Sequence, residues 1–476
     1  MSRAKLFIQN FVVYGLGSII SKIIPLLMLP IITSIMTDSK YYGINDMVNL
    51  VISFAGAIAM MGMYDAMFRM FFEKESDDYK KSICSTALFF VVISSSIICL
   101  LMFIFKDIIL SLIIDDAGYN LLFFIIIFNT FLTGVQGIVS APTRMENKRK
   151  VFLITNTLTP ILSYAVSIPL LLKGQFVYAL PLAALSSTLI MVVVFYIINR
   201  RWFSIKEVSM KHLKTLIKIG VPLMPTFVMY WICSSFDRVM IKSLLGLNEL
   251  GIYSVASRIA QISQFIYTAF AMGWQYFAFS TMNDKDQKRL TSNIANYLLI
   301  ISLIVTMAVT SISKILFYIL AKGNYSIGYT ILPYLFISPL FLMVFQTIGN
   351  QFLVVKKTYP VPLMLMVSAS INIVLNYLLI PILGIEGASI ATMVSYLIAA
   401  VTSYSITLKN KLIAREDRIL VSILLFLIYL ILWRVFASNS IIAGITITII
   451  FYSIFSIIYI KEIKMVFNKF NKKKRS

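Results

Sequence analysis

Apolar residues run along this chain in long unbroken stretches, parted by short clusters of Lys, Arg, Asp, Gly and Pro. A helix that spans a bilayer needs about 20 mostly apolar residues. Fourteen stretches meet that length: 7–35, 43–68, 83–105, 119–141, 151–172, 176–198, 219–241, 250–280, 291–313, 327–355, 360–381, 386–408, 419–436 and 440–460. They are continuously apolar and do not alternate, which predicts helices and not the strands of a membrane barrel. Residues 107–114 (DIILSLII) are too short to span and predict a short interfacial helix. The connections are brief; the longest, 200–218, leaves no room for a nucleotide-binding or glycosyl-transferring domain. The first stretch follows Arg3 and Lys5, is too long for a signal-peptide core, and has no small-residue cleavage site behind it, so it predicts a retained span.

The polar clusters orient the spans. With the N-terminus placed inside, 32 Lys and Arg fall on inner segments and 7 on outer ones: Lys40, Lys106, Lys173, Lys242, Lys314, Lys322 and Arg434. The other three, Lys22, Arg238 and Arg258, lie within spans. This asymmetry is the positive-inside rule and predicts both termini in the cytoplasm. Composition agrees. Of 476 residues, 59% are hydrophobic and only 13% charged, against about 25% charged in soluble domains. Mean hydropathy is +0.88. A soluble enzyme, a disordered chain and a nucleic-acid binder are excluded. The net charge of +22 faces the anionic inner leaflet, so membrane lipids and not nucleic acid are the expected partners. The fold class is all-α, a polytopic membrane protein of about 14 helices.

A repeat runs through the first twelve spans. Gly43-Ile44 matches Gly251-Ile252 at offset 208, and Met61-Gly62 matches Met272-Gly273 at 211. Phe131-Leu132, Gln136, Ile138 and Gly174 match Phe341-Leu342, Gln346, Ile348 and Gly384 at 210. An offset of six helices gives both copies the same orientation, hence two parallel six-helix lobes. The expected division is 1–205 and 206–412 for the lobes, and 413–476 for two extra helices and a basic tail.

Catalytic constellations are absent from the sequence. His212 is the one histidine and sits in a basic segment, where a solvated loop histidine is expected. There is no P-loop. Asp77-Asp78 and Asp115-Asp116 read as solvated loop charge. Cys84, Cys99 and Cys233 lie in apolar runs without a CxxC pair, so neither a metal site nor a disulfide is expected. The reading is not an enzyme, with no cofactor.

Charges within spans are costly and point to function. They are Lys22, Asp46, Asp65, Asp237, Arg238 and Arg258, with Arg69 at the end of the second span. Lys22 and Arg258 lie deep, and either face a wet cavity or pair internally with Asp46 or Asp237. Asp65 and Arg69 are spaced to pair at i, i+4. Arg238 lies close enough to the outer end to snorkel. Lys22 and Arg258 have no charged counterpart in the other repeat, which leans toward a ligand. Pro25, Pro30, Pro222 and Pro225 mark static kinks or bending points. Asn372 and Asn376 share a helix face suited to interhelical hydrogen bonds. Tyr230, Trp231, Trp274 and Tyr276 suit packing, interfacial anchoring or stacking on sugars.

Residues 220–259 (GVPLMPTFVMYWICSSFDRVMIKSLLGLNELGIYSVASRI) and 371–392 (INIVLNYLLIPILGIEGASIAT) resemble the bacterial polysaccharide-repeat-unit flippases of the multidrug/oligosaccharidyl-lipid/polysaccharide exporter superfamily. YYGINDMV at 41–48 and GMYDAMFRMF at 62–71 fit the same pattern. The resemblance covers nearly the whole chain. It implies two lobes around a central cavity in the bacterial cytoplasmic membrane. It also implies transport of an undecaprenyl-diphosphate-linked oligosaccharide from the inner to the outer leaflet, for O-antigen, capsule or a related polysaccharide. Polymerase and chain-length proteins of the same pathway are implied partners. The family's cationic cavity would be filled here by Lys22, Arg258, Arg238 and Arg69, with Asp46, Asp65 and Asp237 as ion-pair or coupling acids. Fourteen spans also resemble the lipid II flippase branch. A cation-coupled multidrug exporter of the same superfamily is the nearest alternative, and the deep cations weigh against it. A membrane-embedded polymerase or ligase would need a large outer loop that this chain lacks. A membrane scaffold without transport stays open.

Overall fold

The structure is a computed structural model, and it describes residues 20–114, 118–268, 270, 274, 286–355, 357, 359–415, 418–460 and 464. Among these residues there is no strand. The helices are α1 (Ile20–Ile35), α2 (Lys40–Met60), α3 (Met63–Phe71), α4 (Asp77–Ile104), α5 (Lys106–Ile114), α6 (Asn120–Met145), α7 (Arg149–Leu172), α8 (Phe176–Asn199) and α9 (Met210–Gly220). They continue as α10 (Met224–Leu245), α11 (Leu247–Ala260), α12 (Gln287–Ser311), α13 (Ser313–Leu320), α14 (Leu332–Val354), α15 (Pro360–Leu383), α16 (Ile385–Lys409), α17 (Arg418–Leu432) and α18 (Ile441–Ile458).

Among the described residues, eleven helices are long and apolar enough to cross a membrane. They become twelve if Met210–Met229 and Ser234–Leu245, bent by 47°, form one span. The expected count was fourteen. The two other expected spans, 7–35 and 250–280, run into residues outside the description, and α1, α11 and helical residues 262–268 are their described parts.

Local chemistry sets the helix ends. Ser76 caps α4 by accepting from the Tyr79 N–H at 3.5 Å, with Asp77 and Asp78 in the first turn. These acids therefore favour the positive end of the helix dipole. The second expected span is broken: Met61 (φ 44°) and Gly62 (φ 70°) adopt left-handed backbone between α2 and α3. Pro222 and Pro225 sit in the first turns of their helical segments, where no helical N–H is missed. The bend in that span falls later, at residues 230–233, so these prolines start the helix and do not hinge it.

Two compact units result: 1–255 with 322–325 and 376–385, and 256–321 with 326–375 and 386–476. In the first unit, the core includes Met67, Val91, Ile138, Met191 and Trp202. In the second, Phe341, Phe345, Phe426, Trp433 and Phe451 form the centre of the core. There α17 and α18 dock on α12, with Tyr429 Oη donating to the Met307 carbonyl at 3.1 Å and Tyr452 Oη to the Ile304 carbonyl at 2.7 Å.

The repeat recurs as geometry within the units. Lys106 opens α5 and Lys314 lies at the start of α13, 208 residues on; both helices are short. Gly174 (φ 76°) and Gly384 (φ 61°), 210 apart, each follow a long helix in left-handed conformation.

Candidate functional site

A cluster of charged and hydroxyl side chains lies in the first unit, where α2, α10 and α11 meet. Gly246 (φ 94°) ends α10, its N–H reaching the Ile241 and Lys242 carbonyls, so the chain turns sharply into α11. The first turns of α2 and α11 then touch backbone to backbone. A Cβ on Gly43 would collide with the Leu247 carbonyl oxygen, and one on Gly251 with the Ser39 carbonyl oxygen. Ser39 and Leu247 are 208 residues apart, as are Gly43 and Gly251. The contact is therefore reciprocal between repeat-related positions.

One turn further along, the same relation joins side chains. Ser254 Oγ donates to Asp46 Oδ2 at 2.6 Å, again across 208 residues. Arg238 Nε pairs with the same oxygen at 3.0 Å, and Arg238 Nη1 donates to the Ser234 carbonyl at 3.0 Å. Asp237 is buried. Its Oδ2 accepts from Tyr253 Oη at 2.5 Å, and its Oδ1 from the Arg238 N–H at 2.8 Å. Asp46 thus holds the guanidinium and the Ser254 hydroxyl, while Asp237 holds the Arg238 backbone N–H and the Tyr253 hydroxyl. Asp46 lies six residues into α2, about 9 Å along its axis. Desolvated charges at such depth are held only by close pairing and further hydrogen bonds.

Further polar contacts tie the neighbouring helix ends in the same unit. Lys242 Nζ donates to the Ser111 carbonyl at 2.9 Å. Lys322 N–H donates to Thr33 Oγ1 at 3.0 Å. Tyr325 Oη donates to the Asp38 carbonyl at 3.2 Å. Burial, with Tyr42 and Asp38 adding to it, pushes the Tyr325 phenol well above its ordinary range, so it stays a donor.

The other predicted residues are placed as follows. Lys22 on α1 is exposed, and so are Asp65 and Arg69 on α3. No ion pair joins Asp65 to Arg69 among the described residues, contrary to the spacing argument; the exposed surface leaves neither charge needing an internal partner. Nearby, Arg144 donates to Tyr64 Oη at 3.0 Å. Arg258, half-buried, belongs to the second unit. Arg238 pairs with Asp46, a contact not among the pairings of Lys22 or Arg258 with Asp46 or Asp237 that the sequence argument offered beside a cavity role. Tyr253 and Ser254 were not singled out at all, although the offset of 208 between Asp46 and Ser254 was there to be read.

Of the bland expectations, that for His212 changes. His212 is not a loop residue: it lies in the first turn of α9, its Nδ1 2.9 Å from Ser82 Oγ and its ring edge-on to Tyr79. Trp231 packs on Phe54, ring centroids 4.6 Å apart, and donates to Ser53 Oγ at 3.1 Å. Trp274 stacks on Phe270 at 5.7 Å. Asn372 donates to Thr392 Oγ1 at 3.3 Å, the interhelical role expected. Cys84 is buried and Cys99 half-buried, both free thiols. Asp115, Asp116 and Tyr276, and the side chains of Tyr230 and Cys233, lie outside the described residues. In the second unit Arg434 grips Glu386 with two bonds, Nε–Oε1 at 2.7 Å and Nη2–Oε2 at 2.9 Å.

A sequence profile of the family described as "Polysaccharide biosynthesis protein" matches residues 31–321. The chain belongs to that family. Among curated proteins no sequence matches it. Solved structures with the same fold include the lipid II flippase MurJ in an inward closed conformation, at 18% identity and TM-score 0.68, covering 94% of this chain and 100% of that one. An inward-facing multidrug resistance MATE family transporter of the MOP superfamily is similar at 16% identity and TM-score 0.60, covering 82% and 97%. A MOP superfamily transporter from Pyrococcus furiosus, described as having a binding pocket of reversed polarity, is similar at 14% identity and TM-score 0.57, covering 85% and 95%. This member of the polysaccharide biosynthesis family is thus a multi-pass membrane protein with the MOP-superfamily transporter fold.

Proposed function

We propose that this protein is a flippase that moves an undecaprenyl-diphosphate-linked oligosaccharide from the inner to the outer leaflet of a bacterial cytoplasmic membrane by alternating access. The observation that carries the reading is the reciprocal contact of Ser39, Gly43 and Asp46 with Leu247, Gly251 and Ser254. It joins the two repeats edge to edge through small residues and a few polar bonds, and alternating access would require this junction to part and re-form. Membership of a polysaccharide biosynthesis family supports a glycan cargo. Lys22, Arg69 and Arg258 are assigned to the diphosphate. Arg238 is held by Asp46 in this state.

The physics suits the task. Each polar group left unpaired in hydrocarbon costs several kcal/mol, so the sugars need a polar path while the lipid tail stays in the bilayer. Two negative charges moving outward along an inside-negative potential gain about 2.3 kcal/mol each per 100 mV, so in principle no ATPase is required, with or without a coupling ion.

The test is deletion of the gene with leaflet-specific labelling of lipid-linked repeat units. The expected result is accumulation on the inner leaflet and loss of surface glycan. Normal arrival at the outer leaflet, with no redundant flippase present, rejects the reading. Rescue of a lipid II flippase deficiency, with surface glycan unaffected, would transfer the protein to that cargo.

A further inference from the structure

The first unit holds a groove of about 510 Å³ between α2, α4, α5 and α10. Phe54, Ala55, Ile98, Met102, Trp231 and Val239 are among its walls, and the lining is wholly apolar. The indole N–H of Trp231, the one polar atom of that ring, is satisfied by Ser53 Oγ. A transported sugar finds no hydrogen-bond partner in such a space, and water there would leave its own bonds unmade. Neither use fits the groove.

Its two ends differ. At one end Trp231 packs tilted against Phe54, ring centroids 4.6 Å apart. At the other, Lys242 follows the lining residue Val239 by three positions and bridges to the Ser111 carbonyl on α5. Lys106 follows the lining residue Phe105 and opens α5. Asp107 sits beside it, so this mouth carries two cations and one anion. On α2 the lining residues run from Met47 to Ile58, eleven residues on, about 16 Å of helix at 1.5 Å per residue. That is close to half of the roughly 30 Å hydrocarbon core of a bilayer. The groove therefore runs the depth of one leaflet, with its cationic mouth at headgroup level on the side where Lys40, Lys106 and Lys242 mark the outer surface.

We propose that this groove is a binding site for one acyl chain of an anionic outer-leaflet phospholipid, with its phosphate at Lys106, over the buried and bonded ammonium of Lys242, and its chain reaching Trp231. The match of length to a single leaflet favours a phospholipid chain over the much longer polyprenyl chain of the cargo. The site is separate from the residues assigned to the diphosphate.

Two measurements test it. In native mass spectrometry of the full-length protein released from detergent with added phosphatidylglycerol, one lipid should remain bound. Ala55→Phe and Val239→Phe, which fill the groove from opposite walls, should each cut that retention at least tenfold. Lys106→Gln with Lys242→Gln should abolish the preference for phosphatidylglycerol over phosphatidylethanolamine. In vesicles of phosphatidylglycerol brominated near the chain ends, tryptophan emission should be quenched, and Trp231→Phe should remove the most strongly quenched component. This second readout needs no groove-filling variant to fold. Three results would each overturn the proposal: no retained phosphatidylglycerol, unchanged retention in both filled variants that fold, or quenching unaffected by Trp231→Phe. Preferential retention of a polyprenyl phosphate would overturn the phospholipid assignment.

Discussion

Arg238 stands beside two carboxylates, each bonded to a different part of it. Asp46 takes its Nε and Asp237 takes its backbone N–H, while Tyr253 and Ser254 supply the remaining donors. Removing one member of such a desolvated pair leaves an uncompensated charge and costs about 3–5 kcal/mol. Arg238→Gln and Asp46→Asn should therefore each lower the folded protein in the membrane. The double neutral variant should recover most of it, because the two losses are coupled. Equal losses that simply add, read from membrane abundance, would show that the pair is not a unit. Lys22 and Arg258 are expected to behave differently. A charge-assisted hydrogen bond to phosphate contributes about 1.5–3 kcal/mol. Lys22→Gln or Arg258→Gln should then slow transport by about ten- to a hundredfold at normal abundance. Arg258→Lys should fall between, since it keeps the charge and loses the planar fork. Normal transport in both Gln variants would remove these residues from the site.

At the scale of elements, the first turns of α2 and α11 depend on having no side chain at Gly43 and Gly251. Alanine at either position puts a Cβ into a backbone carbonyl, and a carbonyl held in a helix cannot rotate away. The helices must separate instead. Gly43→Ala is predicted to weaken this junction without disturbing either helix, since alanine is the better helix former. The measurement is cross-linking of Asp46→Cys with Ser254→Cys, whose native side chains meet at 2.6 Å. The cross-link should form readily in the otherwise native protein, block transport, and fall several-fold in yield when Gly43→Ala is added. A yield indifferent to Gly43→Ala would mean that the close approach is not set by the glycine. The element scale also explains the 61–62 break: left-handed backbone ends α2 where Gly62 passes the Gly220 carbonyl, again with no room for a Cβ.

At the scale of the whole molecule, the charge asymmetry makes a topological prediction. Cysteines at Lys40, Lys173 and Lys322 should react with an impermeant thiol reagent from outside in a background lacking Cys84, Cys99 and Cys233. Cysteines at Lys150 and Lys211 should react only after the membrane is opened. Outside labelling at Lys150 would overturn the orientation and with it the assignment of an outer mouth to the acyl-chain groove.

What could be read directly from residue order is what depends on solvent. Runs of about 20 apolar residues must be helices in hydrocarbon, because only a helix satisfies its own backbone there. That rule yields the fold class and the described spans, and through Lys and Arg an expected orientation that the thiol labelling tests. The repeat was legible for the same reason: matched residues such as Gly43 and Gly251 stand at a fixed offset. The limits were equally physical. Spacing along one helix suggested Asp65 with Arg69, yet an exposed pair gains little by meeting and they remain apart. The partner of Asp46 could not be read, since Lys22, Arg238 and Arg258 are equivalent as charges and only the turn at Gly246 brings α10 and α11 beside α2 together. His212 looked solvated because Ser82, 130 positions away, is invisible to local pattern. The one-leaflet groove has no sequence signature at all. Its walls are apolar residues like hundreds of others, and a void exists only where four helices fail to fill the space between them.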